Sequence, residues 1–245
     1  MSPIPVYLKT DEKAKRPTES EFYWSTRDGM FLCRNHPFFR TDVPTRRPVR
    51  ALAPHDPCCE FRYPKLKAGQ LEFIVGFFDK IYDLYQSEAV VLLYWDLKRN
   101  HYKLHVPDQV ASVRVFWDGD RMPDDVRYDT PIDMPPHFLM VGDIHSHGNM
   151  SAYSSYTDKL DEKYRDGVHG VVGKIDKNPP EFHLEFCVDG ARFELEFDDL
   201  FEGFDKRRKL IPQQWINKVK IEEDKLKRSA FVPWWLRDSV SNEKD

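Results

Sequence analysis

Two histidines and one aspartate are the residues of this sequence best able to hold a metal ion. His145 and His147 stand two positions apart at the end of an apolar run, and Asp158 follows them. Because side chains alternate between the two faces of an extended strand, residues two apart project to the same side and can reach one ion. Two imidazoles, a carboxylate and one open position are typical of catalytic zinc. The pattern therefore predicts one Zn²⁺ bound by His145, His147 and Asp158.

Ordinary structural roles compete with this interpretation. An isolated His-x-His pair can consist of two hydrogen-bonded imidazoles with no metal. Ser155, three residues before Asp158, has the spacing of a helix N-cap, in which the serine hydroxyl accepts a hydrogen bond from the first helical turn. The residues alone leave both alternatives open.

The complete spacing resembles the zinc motif of the JAMM, or MPN-plus, metalloproteases. That motif reads His-x-His-Pro, six residues, Ser, two residues, Asp, and this chain matches it except that Gly148 replaces the proline. The family also has a glutamate upstream, leading an apolar strand, and Glu88 before residues 89–95 matches that position. The resemblance implies Zn²⁺ as cofactor, Glu88 as the base for a zinc-activated water, and Ser155 as a hydrogen-bond donor to the developing oxyanion. The alternative for Glu88 is a surface carboxylate at a strand edge.

The resemblance covers residues 60–200 and is closest to the prokaryotic Mov34/MPN/PAD-1 branch, on the run from Gly142 to Gly148 and on Gly170-Val-Val-Gly-Lys. That branch includes proteases encoded beside bacterial ubiquitin-like conjugation genes and the A protein of the PRTRC system. It implies an isopeptidase or peptidase that cleaves the amide bond after the carboxy terminus of a ubiquitin-like protein. The implied partners are that protein's tail, its conjugates and the operon-encoded conjugation enzymes.

Two other functions remain compatible with the resemblance. Some MPN domains are non-catalytic scaffolds in protein assemblies, although the intact motif residues argue against that role here. A zinc amidohydrolase acting on a sulfur-carrier protein or a small molecule would use the same chemistry.

Other metal-binding residue types are less well arranged. Adjacent cysteines seldom share one tetrahedral ion without strain, so His55 with Cys58 and Cys59 is a poor second site. We expect no accessory zinc cluster after Asp158. Three residues in predicted strands are expected to be core or surface residues rather than ligands: His169, His183 and Cys187.

The elements that must position these residues predict an α/β (α+β) domain, and the resemblance implies the MPN/JAB (cytidine-deaminase-like) fold, a central mixed sheet flanked by helices. Apolar residues at three-and-four spacing predict a helix over 66–85, followed directly by an apolar strand over 88–95. A short helix is predicted over 157–165. Further strands are predicted over 102–106, 110–117, 138–144, 168–175, 182–188 and 192–197.

The remaining segments predict an organisation in three parts: an N-terminal β element and connector (1–60), the catalytic domain (61–200) and a charged helical extension (201–245). Asp28-Gly29 between apolar runs predicts a hairpin over 22–39, as the first ordered element, and residues 41–60 read as connector. Residues 118–137 predict a long surface loop, either a solvated acidic loop or the substrate-contacting insertion of the family.

Composition excludes several classes of partner. The formal net charge of −4 and the pI near 6.2 do not favour nucleic-acid binding. Four cysteines without a regular framework favour a reducing compartment, and no apolar run is long enough to span a membrane. The expectation is a cytoplasmic protein with neither nucleic acid nor membrane as partner.

Overall fold

The computed structural model describes residues 4–47, 49, 52–60, 62–162 and 165–225. The chain divides into two compact units, of which the first ends at Cys58 and the second begins at Cys59. Each unit has its own core. Within the described residues, no helix is both long and apolar enough to cross a membrane.

The first unit is a four-stranded sheet in the order β1-β2-β3-β4. Its strands are β1 (Val6–Leu8), β2 (Glu21–Thr26), β3 (Gly29–Asn35) and β4 (Arg40–Pro44). The predicted hairpin is confirmed, since β2 and β3 pair antiparallel. Ordered structure begins earlier than predicted, because β1 pairs with β2 and Tyr7 contacts the rings of Phe22 and Trp24. The predicted connector is also wrong at its start, where β4 pairs with β3.

The second unit contains four helices and nine strands among its described residues, in the following chain order: α1 (Ala68–Tyr85), β5 (Val90–Asp96), β6 (His101–His105), β7 (Gln109–Val115), β8 (Arg121–Tyr128), β9 (Phe138–Ser146), α2 (Tyr156–Asp161), β10 (Gly167–Gly173), β11 (Glu181–Val188), β12 (Ala191–Glu194), α3 (Phe197–Leu200), α4 (Gln213–Ile216) and β13 (Val219–Lys225). The central sheet has the order β12-β11-β10-β9-β5-β6. It is mixed, because β9 and β10 are parallel and the other pairs are antiparallel. The predicted α+β class with a central mixed sheet is confirmed.

The two faces of the central sheet have different coverings. Alternate residues of β5 point to opposite sides: Val91 and Leu93 join the core formed with α1, whereas Val90 and Leu92 pack against side chains that include Val126 of β8. Burial of an apolar side chain stabilises a fold by roughly 1.5–3 kcal/mol, which accounts for the apolar residues on both faces of β5. The face opposite α1 is the one that carries the candidate site.

Two predictions for the second unit are wrong. Residues 118–137 are not one long loop, because β8 pairs antiparallel with β7. In the described part of the predicted helical extension, residues 201–225, the helix is limited to the single turn α4, and β13 follows it and pairs parallel with β7. Both strands carry many charged residues, but they also pack apolar side chains on the core, Val126 from β8 and Val219 and Ile221 from β13. The Arg121–Glu223 ion pair at 2.8 Å links the two strands. Residues 226–245 of that predicted extension lie outside the described residues.

Candidate metal centre

The end of β9 and the start of α2 bring the three predicted ligands together. The Nε2 atoms of His145 and His147 lie 3.2 Å apart, and the Asp158 Oδ2 atom lies 3.7 Å and 3.8 Å from them. Both imidazoles are buried. The alternation along β9 therefore places the histidines as predicted, and the loop after β9 returns Asp158 beside them.

These distances fit a tetrahedral zinc ion. Bonds of about 2.0–2.1 Å in a tetrahedron separate the ligand atoms by roughly 3.3 Å, within the range seen among these three atoms. The His147 Nδ1–H donates to the Ser151 carbonyl oxygen at 3.3 Å, which leaves the lone pair of its Nε2 facing the site. This second hydrogen bond is the usual means of fixing the tautomer of a metal-binding histidine. The residues present thus fit a divalent ion, with a site at which His145, His147 and Asp158 would be the protein ligands.

Asp158 has a structural role in addition to its place among the candidate ligands. Ser155 is the N-cap of α2: its Oγ accepts from the Asp158 backbone N–H at 3.1 Å, and its own N–H donates to Asp158 Oδ2 at 2.7 Å. This reciprocal capping box is the structural role predicted for Ser155. The Ser155 side chain also bonds the Asp158 carboxylate and so helps to hold the pKa of Asp158 low.

Glu88 lies buried at the edge of the same site. It precedes β5, whose Val90 pairs with His145 of β9, and only 6 % of its surface is exposed. The alternative of a surface carboxylate is therefore wrong. Two side chains fix the backbone on its C-terminal side: Ser146 Oγ accepts from the Ala89 N–H at 3.1 Å, and the Gln109 amide bonds both N–H and C=O of Val90.

Burial and the mutual charges of its side chains shift the pKa values of this cluster. Burial raises the pKa of Glu88 to about 7, although the neighbouring imidazoles oppose the shift. Burial lowers the pKa of His145, but the hydrogen bond and charge of Asp158 outweigh it and raise that pKa to about 9. Burial likewise raises the pKa of Asp158, yet hydrogen bonds from the two histidines hold it far below its usual range.

A pocket of about 350 Å³ opens beside the cluster. It is lined by Glu88, Arg114, Asp124, Asp125, His147, Met150, Tyr153, Ser155, Thr157 and Asp158. The catalytic candidates Glu88 and Ser155 therefore share one cavity with two of the three candidate ligands.

Gly148 explains why this chain departs from the His-x-His-Pro pattern. Its φ of +56° lies in the left-handed region, and a Cβ there would fall 2.3 Å from the Tyr82 ring. The proline ring fixes φ near −65°, so proline cannot occupy this position without moving the loop. The loop after His147 depends on glycine here.

A second group of histidine and carboxylates lies next to the first and was missed from the sequence. Asp143, Glu162 and His169 are all buried, and their ligand atoms lie within 4.8 Å of one another. Asp143 stands two residues before His145 on β9, and His169 is its partner in the β9–β10 register. The prediction that His169 is no metal ligand stays a prediction. No local spacing could have signalled this group, because its residues come from separate elements.

The other residues with metal-binding side chains do not join either group. His183 Nε2 lies 3.6 Å from Glu185 Oε1, and Cys187 is a buried free thiol. Neither His55 nor Cys58 and Cys59 belong to a metal-binding group of the described residues.

Comparisons with known proteins add little. No protein-family model and no curated protein sequence matches the chain. Among solved structures, the chain is similar to a JAB1/MPN domain protein from Archaeoglobus fulgidus, with 19 % identity and a TM-score of 0.31, over 54 % of this chain and 97 % of that one. A likeness at this level carries no argument about function.

Proposed function

We propose that this protein is a zinc-dependent hydrolase of the JAMM type that cleaves the amide bond after the carboxy terminus of a ubiquitin-like protein. The observation that carries the proposal is the convergence of His145, His147 and Asp158 at ligand distances beside a buried carboxyl, Glu88. The motif resemblance to the prokaryotic Mov34/MPN/PAD-1 branch supports the same reaction class.

Each residue has a separate role in this proposal. A zinc ion held by the three ligands would supply Lewis acidity for attack on an amide carbonyl. Glu88, with a pKa of about 7 caused by burial, is suited to accept a proton from the attacking water and to return it to the leaving amine. The Ser155 hydroxyl, which lines the same pocket, would turn to donate to the oxygen that becomes negative in the transition state.

The expected substrate pose uses β8. The order β13-β7-β8 places β8 at the edge of its three-stranded sheet, and its residues Asp125 and Val126 line the small cavity that also contains Glu88 and His145. An extended tail can add to such an edge through main-chain hydrogen bonds. This pose supports a flexible protein terminus as substrate rather than a folded surface. Conjugation enzymes from the same operon are the further partners we propose.

The test is cleavage of a fusion in which a ubiquitin-like protein encoded in the same operon is joined through its carboxy terminus to a reporter. Mass spectrometry of the products should show a single cut after the terminal residue. Glu88→Gln should slow cleavage by about 10²–10⁴-fold and still bind zinc. Arg34→Gln, in the first unit, removes a solvent-exposed ion pair with Glu21 and serves as the control that should cleave normally.

The outcomes separate the competing functions. If the purified protein contains no metal, the proposed enzymatic function is wrong and the non-catalytic scaffold function is favoured. A zinc-loaded protein that hydrolyses small-molecule amides but not the fusion would overturn the ubiquitin-like substrate and favour the amidohydrolase.

A further inference from the structure

The helix that carries Asp158 has unusual anchoring. α2 has only six residues, and isolated helices of that length do not persist in water. Its two large apolar side chains point outward, with Tyr156 78 % and Leu160 52 % exposed. Polar contacts must therefore hold this helix against the sheet.

The N-terminal end of α2 is held by the Ser155 capping box, and its C-terminal end by an arginine from another element. Arg192 of β12 donates through Nη2 to the Lys159 carbonyl oxygen at 3.2 Å. Through Nη1 it donates to Glu162 Oε2 at 2.9 Å and to Glu185 Oε2 of β11 at 2.5 Å. A planar guanidinium can make these contacts together because its donors form a rigid fork.

Glu162 connects Arg192 to Asp158, the candidate metal ligand. It is the C-cap of α2, and its backbone N–H donates to the Asp158 carbonyl oxygen. Its carboxylate is buried, and Oε1 lies 3.8 Å from His169 Nδ1 of β10. Arg192 and His169 thus clamp Glu162, and Glu162 is bonded to the main chain of Asp158.

The charges around Asp143, Glu162 and His169 favour a structural ion-pair network there over a second metal site. Arg165 Nη2 lies 3.2 Å from Asp143 Oδ2, and Arg192 neutralises Glu162. The His169 Nε2–H donates to the Arg165 carbonyl oxygen at 2.9 Å. A divalent ion beside these carboxylates would be repelled by the two guanidinium groups that already pair with them.

We propose that Arg192 is a positioning residue for the metal centre, which fixes the C-terminal end of α2 and thereby holds the Asp158 carboxylate at its distance from His145 and His147. The inference rests on the proposed zinc site and names a residue that touches neither metal nor substrate. Arg192→Met should lower the affinity for the ion by about tenfold or more, since loss of supporting contacts loosens a ligand.

The experiment uses the full chain, stripped of metal and titrated with Co²⁺ and with Zn²⁺ against a chromophoric chelator. The absorption of the cobalt protein reports ligand geometry, which a general loss of stability does not change. Arg207→Met is the matched control, because Arg207 is equally buried and pairs with Asp79 of α1 at 3.2 Å, away from α2. Melting of the metal-free proteins measures stability separately.

The expected result is weaker binding and an altered cobalt spectrum in Arg192→Met, with both unchanged in Arg207→Met. Arg192→Lys, which retains charge but not the fork, should lie between Arg192→Met and the wild type, and it decides the question if Arg192→Met does not fold. Wild-type affinity in whichever variant folds would overturn the positioning role and leave the zinc site intact. A wild-type chain that binds neither ion would overturn the proposed function and this inference with it.

Discussion

Two neighbouring clusters on one face of the central sheet combine histidine with carboxylates, and they differ in what balances their charge. Among the described residues, no arginine or lysine pairs with Asp158 or Glu88 in the first cluster. In the second, Arg165 and Arg192 pair with Asp143 and Glu162. Proximity of ligand atoms alone does not distinguish them. The first cluster is therefore the one to which we assign the cation in the proposed function.

The histidines of the two clusters also differ in which ring nitrogen donates a hydrogen bond to a carbonyl oxygen. His147 donates from Nδ1 to a carbonyl and keeps the Nε2 lone pair for the site. His169 donates from Nε2 to a carbonyl and presents Nδ1 to Asp143 Oδ2 at 3.2 Å. Burial lowers the pKa of His169, but the hydrogen bond to Asp143 outweighs it and raises that pKa. The His169 imidazole thus belongs to an ion-pair network, whereas the His147 imidazole turns one nitrogen toward the candidate site.

The largest expected effect is loss of the metal from the first cluster. Asp158→Asn or His147→Ala should reduce zinc from about one ion per chain to nearly none, because an open site with two protein ligands holds zinc weakly. Elemental analysis by mass spectrometry after dialysis measures the content. His169→Gln is the corresponding change in the second cluster and should retain the ion. If His169→Gln lost zinc while Asp158→Asn and His147→Ala retained it, the second cluster would be the metal site.

Asp143→Asn should instead destabilise the fold. The change leaves Arg165 and His169 facing a neutral group, and breaking a buried ion pair costs about 3–5 kcal/mol. Urea unfolding of the metal-free protein at constant pH gives the free energy of unfolding. Zinc stoichiometry should remain that of the wild type. A variant as stable as the wild type would show that the second network is not a structural anchor.

Glu88→Gln, in contrast to Asp143→Asn, should stabilise the metal-free protein above neutral pH. The Glu88 carboxyl has the ordinary glutamate pKa of 4.5 in the unfolded chain and a pKa of about 7 in the fold, so the unfolded state releases its proton first. Metal-free wild type therefore loses up to about 3 kcal/mol as pH rises from 4.5 to 7, and a neutral amide does not. Unfolding curves should coincide near pH 4 and favour Glu88→Gln at pH 8. Equal stability at pH 8 would contradict the raised pKa.

The smallest expected effect comes from removing the N-cap side chain of α2. Ser155→Ala removes the side-chain half of the capping box and should lower the free energy of unfolding by about 1 kcal/mol. Ser155→Asn, which can cap as well, should restore stability. If cleavage remains impaired in Ser155→Asn, the serine hydroxyl has a role beyond capping. Full activity in both variants would remove Ser155 from the chemistry.

The elements that follow a clear apolar period could be predicted from the sequence. The predicted helix over 66–85 is α1 (Ala68–Tyr85), and the predicted strand over 88–95 is β5 (Val90–Asp96). β8 and β13 were missed because charged residues outnumber their few core-facing apolar residues and because their pairing with β7 is not visible in the sequence. Ladder hydrogen bonds leave no trace in side-chain periodicity.

The site residues likewise divide into those that could be predicted from the sequence and those that could not. His145 and His147 could be related through strand alternation, and Asp158 could be proposed as the carboxylate that follows them, but Glu88 was assigned from the family motif. Their approach depends on the β5–β9 register and on a loop. Arg192 and Glu162 could not be foreseen, since no spacing along the chain relates β12 to the end of α2.

The pairing of β13 with β7 has a consequence for where this unit can be cut. A chain ended at residue 200, the limit of the family resemblance, would lack β13 and leave the backbone of β7 open along that edge. Exposed edges recruit strands from other molecules and promote aggregation. The functional boundary of the protein therefore lies beyond its recognisable motif, and a shortened chain that precipitates would say nothing against the chemistry proposed for the intact one.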